Sequence, residues 1–405
     1  MKIQTIKRRI AVMILAIFSS IFIFFSCTKE EPPVRIGAAL ALSGHAAYVG
    51  EEVRDGLLLA TDEINQQGGI NGRKIEIVIK DAVSGGNPSP SIDNPTASKT
   101  IGSASSEASI NKVSPFEDPA KKAFEELEKY DPLVIVSSLS FLSMKLAPIA
   151  ESKKSLLVGL VATVPELTKN REWIYRYWTT AEYEAPPITD IFLEIGSKTN
   201  KKNGTFGVIY LDDAYGNSVF RDIEKRCKEK NILITPSSFP PDNKSFLSNV
   251  DVVKDSDAVV VIGFDFHIIK VLKSLRSINY KGEVISTTTA TLPSVTSISE
   301  SNNIYVTAPA LYNKNYPFAD EVKRRYQERY KKPFTQYSAN GYDFIHILIG
   351  LLEDKPMDKE SVKAIFDKGF VYSGVFGNVE LRKGSKDILF PLFPAQIKNG
   401  EVIYR

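Results

Sequence analysis

The chain has 405 residues, 43% hydrophobic and 24% charged, a balance typical of folded globular proteins and unlike that of disordered ones. Its 51 basic and 48 acidic residues give a formal charge of +3, and setting aside Lys2, Lys7, Arg8 and Arg9 leaves 47 basic against 48 acidic. The basicity therefore belongs to the N-terminus, no long basic stretch points to nucleic acid, and the length predicts two or three domains.

In chain order the first element is a leader. Four basic residues precede the apolar run Ile10–Phe25, which ends at Ser26-Cys27. A basic start, a short apolar run and a small residue read as an export signal over residues 1–26. The run is shorter than the roughly 20 residues of a membrane-spanning helix. Phe24-Phe25-Ser26-Cys27 resembles a lipobox, with Phe where Leu is usual at its first position. That resemblance implies a lipid on Cys27 and a protein held outside the cytoplasm by a membrane anchor, in the periplasm or on the outer surface. The other cysteine, Cys227, is left without an intramolecular disulfide partner. It shares helical spacing with Val219 and Ile223, which predicts a buried thiol.

Beyond the leader, short apolar runs alternate with amphipathic stretches. Val34–Leu42 reads as a buried strand, Gly50–Gln67 as a helix with Val53, Leu57, Ala60 and Ile64 on one face, and Lys74–Ala82 as a second strand. Such a β-α-β unit implies a parallel sheet covered by helices. Val83–Asp118 is rich in Ser, Asn, Pro and Ala and reads as a flexible surface insertion. Strands are then expected at Leu133–Leu139, Ser155–Leu160, Thr205–Leu211, Ile232–Ile234, Ala258–Gly263, Glu283–Thr287 and Ile304–Thr307. Helices are expected at Phe318–Lys331, Tyr337–Leu352 and Lys359–Lys368, and a short strand cluster at Gly377–Arg405. The pattern predicts an α/β protein of two doubly wound, parallel-sheet lobes, with a boundary near Thr179–Glu184.

Enzyme chemistry has little support in these residues. His45, His267 and His346 have no metal-ligand spacing. Gly68-Gly69-Ile70-Asn71-Gly72 leads into a strand rather than a helix, so it is not a dinucleotide fingerprint. No Gly-x-Ser-x-Gly elbow is present, and Asp212-Asp213 reads as a solvated strand end. Neither catalysis nor a cofactor is expected.

Three fragments carry a family resemblance: Ile36–Ala82, with Leu42-Ser43-Gly44 and Glu63-Ile64-Asn65 followed by Gly68–Gly72; Ala162–Thr168; and Leu211–Gly216. In this order they resemble the type I periplasmic binding proteins, of the leucine/isoleucine/valine-binding kind. The resemblance implies two lobes, residues 34–182 plus 309–372 and residues 183–308 plus 373–405, joined by a three-segment hinge and closing on a small ligand. Ser140 and Thr163 follow two strands of the first lobe, where ligands of open α/β sheets gather and helix N-termini favour anions. By resemblance they hold a ligand's carboxylate. Tyr215 and Phe264 take the positions of aromatics that close over the ligand, and Ser43 and Tyr48 lie in the first β-α turn. Amino-acid binders of this family carry an acidic residue where this chain has Thr287-Thr288-Thr289. Thr288 is therefore a candidate contact, and Glu182 or Glu184, near the hinge, a candidate source of the missing charge. The implied function is capture of an amino acid or related small carboxylate or amide by a monomer, and its delivery to an ABC transporter permease. The alternative is a sensing or surface-interaction lipoprotein with the same fold.

Overall fold

The computed structural model describes residues 31–84, 118–198 and 204–405. The expected leader, Cys27 and all but the ends of the expected insertion lie outside the described residues. In the first lobe β1 (Val34–Leu40) is followed by α1 (Ala47–Gln66), which buries Val49, Val53, Leu57, Ala60 and Ile64 along one stripe. Gly68 and Gly69, both at positive φ, end that helix and turn the chain into β2 (Ile75–Asp81), parallel to β1. Asp118 accepts from the Ala120 N–H and so caps α2 (Pro119–Glu128). Then come β3 (Val134–Ser138), α3 (Ser140–Lys153), β4 (Leu157–Leu160) and β5 (Ile174–Tyr177). β5 has no counterpart among the expected strands. It is four residues long and carries an arginine, so it lacks the apolar run that marks its neighbours.

The chain then enters the second lobe. Its elements are α4 (Ala181–Lys198), β6 (Thr205–Leu211), α5 (Ala214–Glu229), β7 (Leu233–Phe239), α6 (Leu247–Val253), β8 (Ala258–Ile262), α7 (Asp265–Ser277), β9 (Glu283–Ser286), α8 (Pro293–Thr296) and β10 (Tyr305–Pro309). β7 runs longer than expected because it is an edge strand, where Pro236 costs no ladder bond on its open side. Cys227 is buried against Val219 and Ile223, and burial pushes its thiol up to about 11. The helices α9 (Pro317–Tyr330), α10 (Gln336–Leu352) and α11 (Lys359–Lys368) follow. The chain ends with β11 (Phe370–Gly374), β12 (Gly377–Leu381), β13 (Asp387–Leu389), β14 (Leu392–Lys398) and β15 (Glu401–Tyr404).

Two sheets result, in the orders β11-β12-β13-β5-β4-β3-β1-β2 and β15-β14-β10-β9-β8-β6-β7. Both are mostly parallel, with antiparallel pairs confined to the late strands. The chain crosses between sheets three times: from β5 to α4, from β10 to α9, and from β13 to β14. One assignment is corrected by this pairing. Residues 373–405 do not go together into the second lobe: β11, β12 and β13 extend the first sheet, and only β14 and β15 join the second. The reason is a long-range pairing: Asp387 at the start of β13 pairs with Arg176 of β5.

The packing that matters most for the cleft is between α1 and α10. A Cβ on Gly56 would stand 2.0 Å from the Ser338 carbonyl oxygen, and one on Gly341 would stand 2.3 Å from that of Val53. The two helices therefore touch backbone to backbone, and the first turn of α10 is delivered to the space between the lobes.

Candidate functional site

The carboxyl ends of the parallel strands face each other across the gap between the sheets. On the first lobe, Leu139 (φ 65°) after β3 and Val161 (φ 53°) after β4 both sit in the left-handed region, which is unusual for side chains of this size. These two turns bring Ser140, the first residue of α3, against Thr163. The Thr163 N–H donates to Ser140 Oγ at 3.1 Å, and the two hydroxyls stand 3.3 Å apart. Arg176, wholly buried, pins the loop that carries Thr163. Its guanidinium donates to the Val164 carbonyl at 2.6 Å, to Thr168 Oγ1 at 3.1 Å and to Asp387 at 2.8 Å.

The opposite wall is built the same way from the second sheet. Asp213, after β6, caps α5 by accepting from the Gly216 N–H at 2.8 Å. Two residues on, the Tyr215 hydroxyl lies 2.8 Å from Thr287 Oγ1 after β9. Phe264, after β8, stands with its ring centre 6.3 Å from that of Tyr215. Glu184, in the first turn of α4, reaches under this wall. It accepts from the Thr288 N–H and from Thr307 Oγ1, both at 2.7 Å.

These residues enclose a cavity of about 30 Å³, lined also by Trp178, Tyr337, Phe141 and Thr289. On the order of one or two water molecules fill such a volume, so anything larger enters only as the lobes part. Contacts across the gap hold them together: Gln336 donates to the Thr288 carbonyl at 3.1 Å, His45 meets the Phe264 ring edge-on at 5.7 Å, and Arg221 pairs with Glu166 at 3.1 Å.

The electrostatics of the cavity are one-sided. Burial raises the Glu184 carboxyl above the usual carboxylate range, against the hydrogen bonds from Thr288 and Thr307 that pull it down. Burial also raises Asp213. Burial, then the Glu184 charge, push the Tyr215 phenol up. Among the described residues no Lys, Arg or His lines the cavity.

Of the residues expected at the site, Ser140, Thr163, Tyr215, Phe264 and Thr288 meet around this one cavity. Three do not. Ser43 lies against the Asp81 carboxylate, and Tyr48 packs beside Tyr337 with ring centres 6.2 Å apart at the rim. Glu182 is exposed, and Glu184 points inward in its place. Asp213 is the reverse correction: Asp212 is solvated as expected, but Asp213 lines the cavity. Its position one residue before a helix is the signal that would have found it. Trp178 and Tyr337 carry no local signal, since the hinge and the α1–α10 contact place them.

Two hinged α/β lobes with a cavity at the strand ends between them define a two-lobed ligand-binding protein. The chain belongs to the periplasmic binding protein family, whose profile matches residues 33–89 and 118–401. This is a family of solute binders rather than enzymes. The chain is 25% identical over 279 residues to Leu/Ile/Val-binding protein homolog 8 of Brucella abortus (strain 2308), a match spanning 66% of this chain and 59% of that protein. Its fold is similar to that of the branched-chain amino acid transporter substrate-binding protein LivJ of Streptococcus pneumoniae in complex with isoleucine. The TM-score is 0.71 at 19% identity, over 91% of this chain and 97% of the other. It is similar also to an ABC transporter solute-binding protein of Rhodopseudomonas palustris BisB5 in complex with 3,4-dihydroxybenzoic acid. There the TM-score is 0.74 at 17% identity, over 93% and 96% of the two chains.

Proposed function

We propose that this protein captures a small polar ligand bearing a carboxylate between its lobes, outside the cytoplasm, and hands it to the permease of an ABC importer. A lipid on Cys27 tethers it. The observation that carries this reading is the Ser140–Thr163 pair at the N-terminus of α3, facing Tyr215 and Phe264 across the cavity. A helix N-terminus with two hydroxyls offers an anion unpaired N–H groups and a favourable dipole. The aromatic wall excludes water once the lobes close. Isoleucine and 3,4-dihydroxybenzoic acid, bound by the two proteins of similar fold, both carry a carboxylate. Closure about the three crossings lets one lobe bind first and the other supply the remaining contacts.

A thermal-shift screen of the full chain in detergent, over amino acids, amides, small carboxylates and polyols, tests the reading. Ligand at about 100 times its dissociation constant adds roughly 2.7 kcal/mol of stability. A clean melt unmoved by every compound would remove the solute-binding reading. For a carboxylate hit, Ser140→Ala combined with Thr163→Val should weaken binding by about 2–4 kcal/mol, the worth of two charge-assisted hydrogen bonds. Unchanged affinity in calorimetry would show that the carboxylate sits elsewhere.

A further inference from the structure

The charge balance of the cavity says more about the ligand than its shape does. Among the described residues two carboxylates line it, Glu184 from the hinge helix and Asp213 from the cap of α5, and no basic side chain does. Among the described residues neither has an ion-pair partner. Glu184 is satisfied by the Thr288 N–H and the Thr307 hydroxyl, and Asp213 by the Gly216 N–H. His45 faces Asp213 from the first β-α turn but is exposed at the mouth and forms no part of the lining. Glu184 is buried and Asp213 half-buried, and carboxylates so placed without a counter-charge are costly to ionise.

Resting on the reading of the cleft above, we infer that the ligand is a small amine of net positive charge, with cationic nitrogens against both Glu184 and Asp213. A neutral amino acid supplies one ammonium. Its carboxylate is taken up by Ser140 and Thr163, so one of the two acids is left unbalanced when the lobes close. A basic amino acid supplies two cationic groups and one carboxylate, and balances the site. The wall is suited to this, since Trp178, Tyr215 and Phe264 present aromatic rings to the same space and cations over such rings are favoured. Both acids are held raised by burial, as expected of carboxylates awaiting a cation.

The test is calorimetry on the full chain with three sets of probes. L-lysine, L-ornithine and putrescine are net positive, L-leucine and L-isoleucine neutral, L-glutamate and 3,4-dihydroxybenzoate net negative. The expected result is at least tenfold tighter binding of a net-positive probe than of any other. Glu184→Gln and Asp213→Asn should each weaken that binding about tenfold or more. Both replacements keep the hydrogen-bond acceptor, so the melt of the free protein should hold, and that is checked alongside. Tighter binding of a neutral or negative probe would overturn the inference and leave the solute-binding reading standing. So would a net-positive ligand whose affinity neither substitution changes. Putrescine binding as tightly as L-lysine would uphold the inference and remove the carboxylate role of Ser140 and Thr163. No binding by any probe would overturn the inference, and the wider thermal-shift screen then decides the solute-binding reading.

Discussion

Glu52 shows how much a single side chain can write into the pH behaviour of this protein. It lies on α1, where burial raises its carboxyl to about 7 against a hydrogen bond from Thr335 and the nearby Lys332 charge. Between pH 4.5 and 7 the folded chain keeps a proton at this site that the unfolded chain has lost. Folding is therefore favoured at the acid end, and the contribution of Glu52 is lost as pH rises toward 7. The expected loss is about 3 kcal/mol. Glu52→Gln should remove this share and stabilise the protein more at pH 8 than at pH 5, as read by urea midpoints. An equal effect at both pH values would show that Glu52 ionises normally. Asp343, buried beneath the β11–β12 turn and also raised to about 7, adds a loss of the same sign that the substitution leaves in place. Glu182 and Glu184 make the related point about position. Two residues apart on a helix they point about 200° apart, so one meets solvent and the other the cavity.

At the scale of elements, Arg176 ties three of them together. From β5 it holds the loop after β4 through the Val164 carbonyl and Thr168, and it draws β13 onto the first sheet through Asp387. It has no exposed surface, so removing it leaves a buried gap, the Val164 carbonyl without its donor and the partly exposed Asp387 without its cation. Arg176→Ala should cost about 3–5 kcal/mol of stability by chemical denaturation. A cost below about 1 kcal/mol would mean the strands hold their order without it. The contact between α1 and α10 is a second such joint. Gly341→Ala puts a methyl into the backbone of Val53, and forcing the helices apart should cost about 1–3 kcal/mol. Because Tyr337 rides on the displaced helix, ligand affinity should fall too. Loss of stability with affinity intact would detach this helix pair from the cleft.

For the whole molecule the proposed function requires the lobes to part. The Arg221–Glu166 pair bridges them, but both side chains are about half exposed, at 58% and 44%. Such pairs are screened by water and contribute about 0–1 kcal/mol. Arg221→Ala should thus change ligand affinity less than about fivefold, with scattering profiles of the free protein nearly unaltered. A large loss, or an opened profile, would make this surface pair the latch. The buried contact of Gln336 with the Thr288 carbonyl is the stronger candidate for holding the lobes together.

The sequence alone determined the two-lobed α/β plan, since buried strands and amphipathic helices declare themselves by local periodicity: Val34–Leu42, the stripe of α1 and the run Ala258–Gly263 needed no tertiary information. Five residues lining the cavity were named from it: Ser140 and Thr163 because ligand positions in such folds follow strand ends, which are local features, and Tyr215, Phe264 and Thr288 through the family resemblance. What only the tertiary structure decided is whatever depends on distant segments meeting. Arg176 and Asp387 are far apart in the chain, and their pairing moved β11–β13 to the first lobe. Glu184 replaces Glu182 because the hinge sets the rotation of α4. Trp178 and Tyr337 arrive at the cavity from the hinge and from α10. The sequence named Glu182 and Glu184 together as candidate sources of charge, and only the structure separates them. Glu184 reaches Thr288 from a helix some hundred residues earlier in the chain.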